Sequence, residues 1–119
     1  MEMTYRAENR QLTISLKGEL DHHAARGVMD SIDRCMEQNL PVKTVLDLGG
    51  LTFMDSSGIG VVMGRYNTVR IAGGNIYVTG CDPYVERLLE MAGIWLITTK
   101  MATVEEALAA SRERRRNNG

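Results

Sequence analysis

The chain has 119 residues, of which 44% are apolar and 24% charged, and its formal net charge is −1. A chain of this length forms one domain and buries roughly 65% of its extended surface without staples, and the balanced charge argues against a broadly basic nucleic-acid surface. Met1-Glu-Met-Thr-Tyr-Arg6 lacks the apolar stretch of a signal peptide and no apolar run is long enough to span a membrane, so the expectation is a cytoplasmic protein without membrane contact.

Met3, Tyr5 and Ala7 alternate with polar residues and predict a first strand. Glu8-Asn-Arg10 predicts a turn, with Asn9 tolerant of unusual backbone angles. Leu12, Ile14 and Leu16 alternate in the same way, which is a strand buried on one face. Asp21 caps a predicted helix from His22 to Gln38, whose Ala25, Val28, Met29, Ile32, Cys35 and Met36 recur at helical steps. Pro41 bars its continuation, and Val42 to Leu48 predicts a third strand. Ile59, Val62, Met63, Tyr66 and Val69 mark the buried face of a second helix, which Gly73-Gly74 ends. Ile76-Tyr-Val78 is a short strand. Asp82-Pro83 opens a third helix with Val85, Leu88, Leu89 and Ala92 inward, and Gly93 stops it. Trp95-Leu-Ile97 is read as the last strand. Thr103-Val-Glu-Glu106 is a capping box for a fourth helix with Val104, Ala107, Leu108 and Ser111, which runs into Arg112-Glu-Arg-Arg-Arg116.

The order β-β-α-β-α-β-α-β-α predicts an α/β domain with a mixed, mostly parallel sheet and the first strand antiparallel at an edge. The domain is expected over residues 1–111, followed by a frayed basic tail over 112–119. Cys35 and Cys81 are far apart in sequence, form no Cys-x-x-Cys, and are read as reduced core thiols.

Asp55, Ser56 and Ser57 lie where the second helix begins, and a short side-chain oxygen there accepts from the free N–H groups of the first turn. Gly58 and Gly60 follow at once, although each costs a helix roughly 0.5–1 kcal/mol against alanine. Two glycines in a first turn suggest that something comes close to this backbone. In a parallel α/β sheet, sites form beyond the carboxyl ends of the strands. The Asp21-His22-His23 loop follows the second strand and the Asp55-Ser56-Ser57 loop the third, so if those strands are neighbours the loops lie side by side. Enzyme readings fail on spacing. No Gly-x-Ser-x-Gly elbow and no phosphate-binding glycine loop occurs, Gly58, Gly60 and Gly64 miss the dinucleotide spacing by one position, and no metal-ligand cluster is present.

Phe53-Met-Asp-Ser-Ser-Gly-Ile-Gly60 resembles the phosphorylation-site signature of the anti-sigma factor antagonists, which belong to the STAS domain family. Gly18-Glu-Leu-Asp-His-His23 matches their other characteristic stretch, Met63-Gly-Arg-Tyr66 continues the match, and the resemblance covers about Thr4 to Ala110. It implies the same fold and a regulatory binding protein without catalytic activity. It places the phosphoryl acceptor at Ser56 and partner contacts at Glu19, Asp21, His22, Met54, Asp55, Ser57, Gly58, Ile59, Gly60 and Arg65. Asp21 could equally be only a cap, and Arg65 only a solvated helix residue. Val61 is a contact if it points outward and core if it points inward.

The implied partner is an anti-sigma factor that is also a serine kinase, bound by the unphosphorylated form so that a sporulation sigma factor is released. Mg-ATP belongs to that partner, so the chain itself needs no cofactor or metal, and a serine phosphatase reverses the modification. The free chain is expected to be a monomer. Two alternatives stay open. One is the same fold in another partner-switching pathway, such as the general stress response. The other is a STAS module that binds a small ligand or nucleotide.

Overall fold

In the computed structural model, residues 1–71, 74–96 and 98–109 are described, with the side chains of 66–71 outside the description. The expected stop at Gly73, the apolar Ile97, Ser111 and the tail over 112–119 therefore lie outside the described residues.

Asn9 and Arg10 both have positive φ, 53° and 60°. That is the geometry of a two-residue type I′ turn, whose twist matches paired strands. It folds β1 (Glu2–Glu8) antiparallel onto β2 (Gln11–Leu20), with Glu8 opposite Gln11. The Arg10 guanidinium donates to the carbonyl of Leu40, at 3.1 Å from Nη2. Leu40 is the left-handed C-cap of α1 (His22–Asn39), so the turn also fixes the end of that helix.

Beyond α1 the chain alternates: β3 (Lys43–Met54), α2 (Ser56–Ile71), β4 (Asn75–Thr79), α3 (Pro83–Met91) and β5 (Thr99–Met101). A last helix, α4, spans residues 104–109, and the Thr103 hydroxyl accepts from the Glu106 N–H at 3.1 Å to open it. The sheet order is β1-β2-β3-β4-β5. Every pair after the first is parallel, as crossover helices require.

One face of the sheet carries Leu12, Ile14, Leu16, Leu20, Leu46, Leu48 and Met54, packed against Val28 and Ile32 of α1, Val61 and Val62 of α2, and Val85 and Leu89 of α3. On the other face Val45 and Tyr77 meet Ala107 of α4. Lys43 is buried on that side. Its ammonium donates to the carbonyl oxygens of Ala107, at 2.8 Å, and Leu108, and it lies 5.6 Å from the centre of the Tyr77 ring. Burial holds its pKa below the usual lysine value.

Two elements differ from the sequence expectation. Trp95 and Leu96 of the expected last strand lie instead in a 3-10 turn, Ile94–Leu96, and the last strand, β5, begins at Thr99. Gly93, with φ +79°, turns the chain, and the N–H and hydroxyl of Thr98 both donate to the Ile94 carbonyl, at 2.9 and 3.2 Å. Those bonds close a turn where an apolar triplet reads equally well as strand. Strand β3, in turn, does not stop at Leu48 but passes through Gly49-Gly50 to Met54. A Cβ on Gly50 would lie 2.9 Å from the Leu16 carbonyl oxygen, so glycine here allows β3 to run tight against β2 rather than ending it.

Candidate functional site at the carboxyl edge

The parallel register pairs Leu20 with Met54, so β2 and β3 end together. The loops that follow are thereby neighbours, and a cross-loop bond ties them: the His22 N–H donates to Asp55 Oδ2 at 3.0 Å. Asp21 and Ser56 thus stand at one edge of the sheet, as expected.

Asp55 caps α2. Its Oδ1 accepts from the N–H groups of Ser57, at 2.9 Å, and Gly58, at 3.3 Å. Asp21 caps α1, accepting from the Ala24 N–H at 3.0 Å. Asp82 caps α3, accepting from the Val85 N–H at 2.8 Å. Each helix starts where a parallel strand ends, so Asp21 and Asp55 stand together beyond Leu20 and Met54, while β4 ends opposite Asp47 and Asp82 follows from there. Four acidic residues, Glu19, Asp21, Asp55 and Asp82, stand on the edge segments 18–25, 51–60 and 80–84, which contain no lysine or arginine.

Because Asp55 is the cap, Ser56 is not. It occupies the first helical position and is exposed. Its hydroxyl has no hydrogen-bond partner among the described residues. Two of the N–H groups that a Ser56 phosphate would use are already held by Asp55, so the phosphate would meet a carboxylate as well as the positive helix end.

The remaining implied contacts fall into two groups. Glu19, His22 and Gly60 are exposed, and Asp21, Asp55 and Ser57 are half-buried. Met54 is fully buried, Gly58 is buried, and Ile59 packs against the core. Gly58 is tight against the chain itself, since an added Cβ would lie 2.7 Å from both the Leu20 carbonyl oxygen and Met54 Cγ. What comes close to this backbone is therefore β2 and β3 of the same molecule. Gly60 has open space around it. Val61 points inward and is core.

Arg65 is neither partner-facing nor solvated. It is 6% exposed, and its Nε lies 3.1 Å from Asp33 Oδ1, an ion pair that joins α2 to α1. The rings of His22 and His23 meet edge-on at 5.7 Å, and among the described residues no group of three His, Cys, Asp or Glu side chains could hold a metal. Both cysteines are free, Cys35 buried and Cys81 half-buried.

Sequence reasoning gave no site role to Phe53 or Tyr84. Their rings stack at 6.4 Å between centres, and the Tyr84 hydroxyl donates to the Met54 carbonyl at 3.3 Å. Both side chains are substantially exposed, at 38% and 49%. Phe53 sits on the outward phase of β3 next to the cap, but the sequence reading ended that strand at Leu48, so the signal was hidden. For Tyr84 there was none, because its position depends on how α3 swings over the end of β3.

The family model for the STAS domain matches residues 2–107. An anti-sigma F factor antagonist of Paenibacillus polymyxa is 42% identical over 86 residues, covering 72% of this chain and 74% of the relative. An anti-sigma F factor antagonist of Lysinibacillus sphaericus is 32% identical over 99 residues, 82% of each chain. Among solved structures, the Bacillus cell fate determinant SpoIIAA in its phosphorylated form is 28% identical, with a TM-score of 0.73 over 93% of this chain and all of the other.

Proposed function

The chain belongs to the STAS domain family, and we propose that it acts there as an anti-sigma factor antagonist whose unphosphorylated form binds an anti-sigma factor of the sigma F type. It is a regulatory binding protein and not an enzyme. The partner is a serine kinase that carries its own Mg-ATP, phosphorylates Ser56 and is thereby released; a phosphatase restores binding. The pathway is that of sporulation, in a cytoplasmic setting. The names of the two relatives above support the antagonist role, and the phosphorylated SpoIIAA structure supports modification as the switch.

The observation that carries the reading is the division of labour at the start of α2. Asp55 does the capping, so the Ser56 hydroxyl is left exposed for transfer. The added charge of about −1.5 to −2 arrives beside Asp21 and Asp55. A partner shaped to meet a neutral hydroxyl would then have to desolvate a dianion, and each 1.4 kcal/mol of that penalty weakens binding about tenfold.

The test is site mapping by mass spectrometry after incubation with the Paenibacillus polymyxa anti-sigma F factor and Mg-ATP. One phosphate is expected, on Ser56. Ser57 is rotated by roughly 100° around the helix, so phosphate on Ser57, or none, would overturn the assignment.

A further inference from the structure

We propose that the Phe53–Tyr84 pair is a docking ledge on which the anti-sigma factor seats a basic, long-stemmed side chain, a lysine or arginine, when it engages Ser56. The proposal rests on the functional reading above and adds a contact and its chemistry to it.

The first support is preorganisation. Tyr84 is held by its hydroxyl on the Met54 carbonyl and by its stack on Phe53, yet its side chain is 49% exposed. A fixed aromatic ring left in water loses little entropy when a partner covers it, which is why such rings dominate interface energetics. The second is location. A partner in a standard complex covers about 800 Å² of surface, a disc of roughly 16 Å radius. Phe53 is three residues from Ser56, at most about 11 Å along the chain, and Tyr84 is bonded to the residue two before Ser56. A partner that reaches the serine hydroxyl therefore covers the ledge.

The third is charge. Carboxylates stand close to the ledge along the chain: Glu19 pairs with Phe53 in the β2–β3 register, Asp55 lies two residues beyond Phe53, and Asp82 lies two residues before Tyr84. Arg87 follows one helical turn beyond Tyr84, but the three carboxylates outnumber it, and the complementary occupant is a cation. Its aliphatic stem would cover the rings while its head meets a carboxylate or an aromatic face.

The experiment measures the affinity of the full chain and its variants for the Paenibacillus polymyxa anti-sigma F factor, with thermal melting beside it. Tyr84→Ala is expected to weaken binding about tenfold or more. Tyr84→Phe, which keeps the ring, should stay within about threefold, and Tyr84→Lys, which sets a cation against a cation, should lose more than Tyr84→Ala. Tyr84→Ala and Tyr84→Lys binding within about twofold of wild type, with Ser56 still phosphorylated, would overturn the ledge and leave the functional reading intact. A wild-type chain that neither binds nor is phosphorylated would overturn both. If Tyr84→Ala instead changes the sedimenting mass of the free chain, the ledge serves self-association and the proposed occupant is wrong. Should Tyr84→Ala melt early, the Tyr84→Phe and Tyr84→Lys comparison decides the matter at a temperature where both are folded.

Discussion

Gly58 and Gly60 stand two residues apart in the first turns of α2, and the same substitution is expected to act on them with opposite sign. Alanine is favoured over glycine inside a helix by roughly 0.8–1.0 kcal/mol. At Gly60 nothing lies within 4 Å of an added Cβ, so Gly60→Ala should gain close to that amount. At Gly58 the new methyl would sit 2.7 Å from the Leu20 carbonyl oxygen and 2.7 Å from Met54 Cγ. Leu20 and Met54 are fully buried, and the oxygen belongs to backbone that ends β2, so neither can simply step aside. Overpacking of this kind costs about 1–3 kcal/mol. Subtracting the helix gain leaves Gly58→Ala destabilised by about 0–2 kcal/mol. Unfolding entropy of about 2.1 cal/mol/K per residue converts 1 kcal/mol to roughly 4 °C for a chain of this size. Calorimetric melting should therefore place Gly58→Ala below wild type by up to about 8 °C and Gly60→Ala about 3–4 °C above it. Equal shifts of either sign would refute the close contact between α2 and the ends of β2 and β3. That contact is what fixes Ser56 relative to Asp21.

Asp55→Ala removes the cap on Ser57 and Gly58 together with the cross-loop bond from His22; at about 0.5–2 kcal/mol for the cap and about 1 kcal/mol for the bond, urea unfolding should show a loss of about 2 kcal/mol, and a variant as stable as wild type would contradict the tie between the loops. Cys81 is pushed up to about 11 by burial, with the Glu86 and Asp82 carboxylates acting in the same sense. Its thiol should react with iodoacetamide more slowly at pH 8 than a free cysteine, because little thiolate is present. A thiol pKa raised from 9.0 in the unfolded chain means the folded state holds the proton more tightly, so this group's contribution is fully present below pH 9 and is lost as pH rises toward 11. Wild-type alkylation as fast as that of the unfolded chain at pH 8 would refute this environment. Arg10→Ala should cost about 1 kcal/mol, read by denaturant unfolding, through loss of the bonds that hold the α1 C-cap at Leu40; no change would mean the turn and the helix end are independent.

Much of this architecture could be read along the chain because its signals are local. Asp21, Asp55 and Asp82 are caps by residue type and position, and the alternation of Leu12, Ile14 and Leu16 sets the buried face of β2. Reading failed where tertiary contacts override a local rule. Gly49-Gly50 looks like a break, yet Gly50 is glycine so that β3 can lie against Leu16. Trp95-Leu-Ile97 has strand composition, but Gly93 and Thr98 close a turn around Ile94. At the site, Ser56 and its acidic neighbours were legible from the cap chemistry and the family signature together. The burial of Arg65 was not, because its partner Asp33 lies on another helix. Tyr84 was invisible for the same reason.

The proposed switch is a single phosphate on Ser56 that acts by local charge while the domain stays folded. The most direct test is calorimetric titration of the Paenibacillus polymyxa anti-sigma F factor with two samples of the full chain, one unmodified and one stoichiometrically phosphorylated at Ser56, below the melting temperature of both. The phosphorylated chain should bind at least about a hundredfold more weakly, a difference of about 2.7 kcal/mol. Equal affinity of the two samples would contradict it.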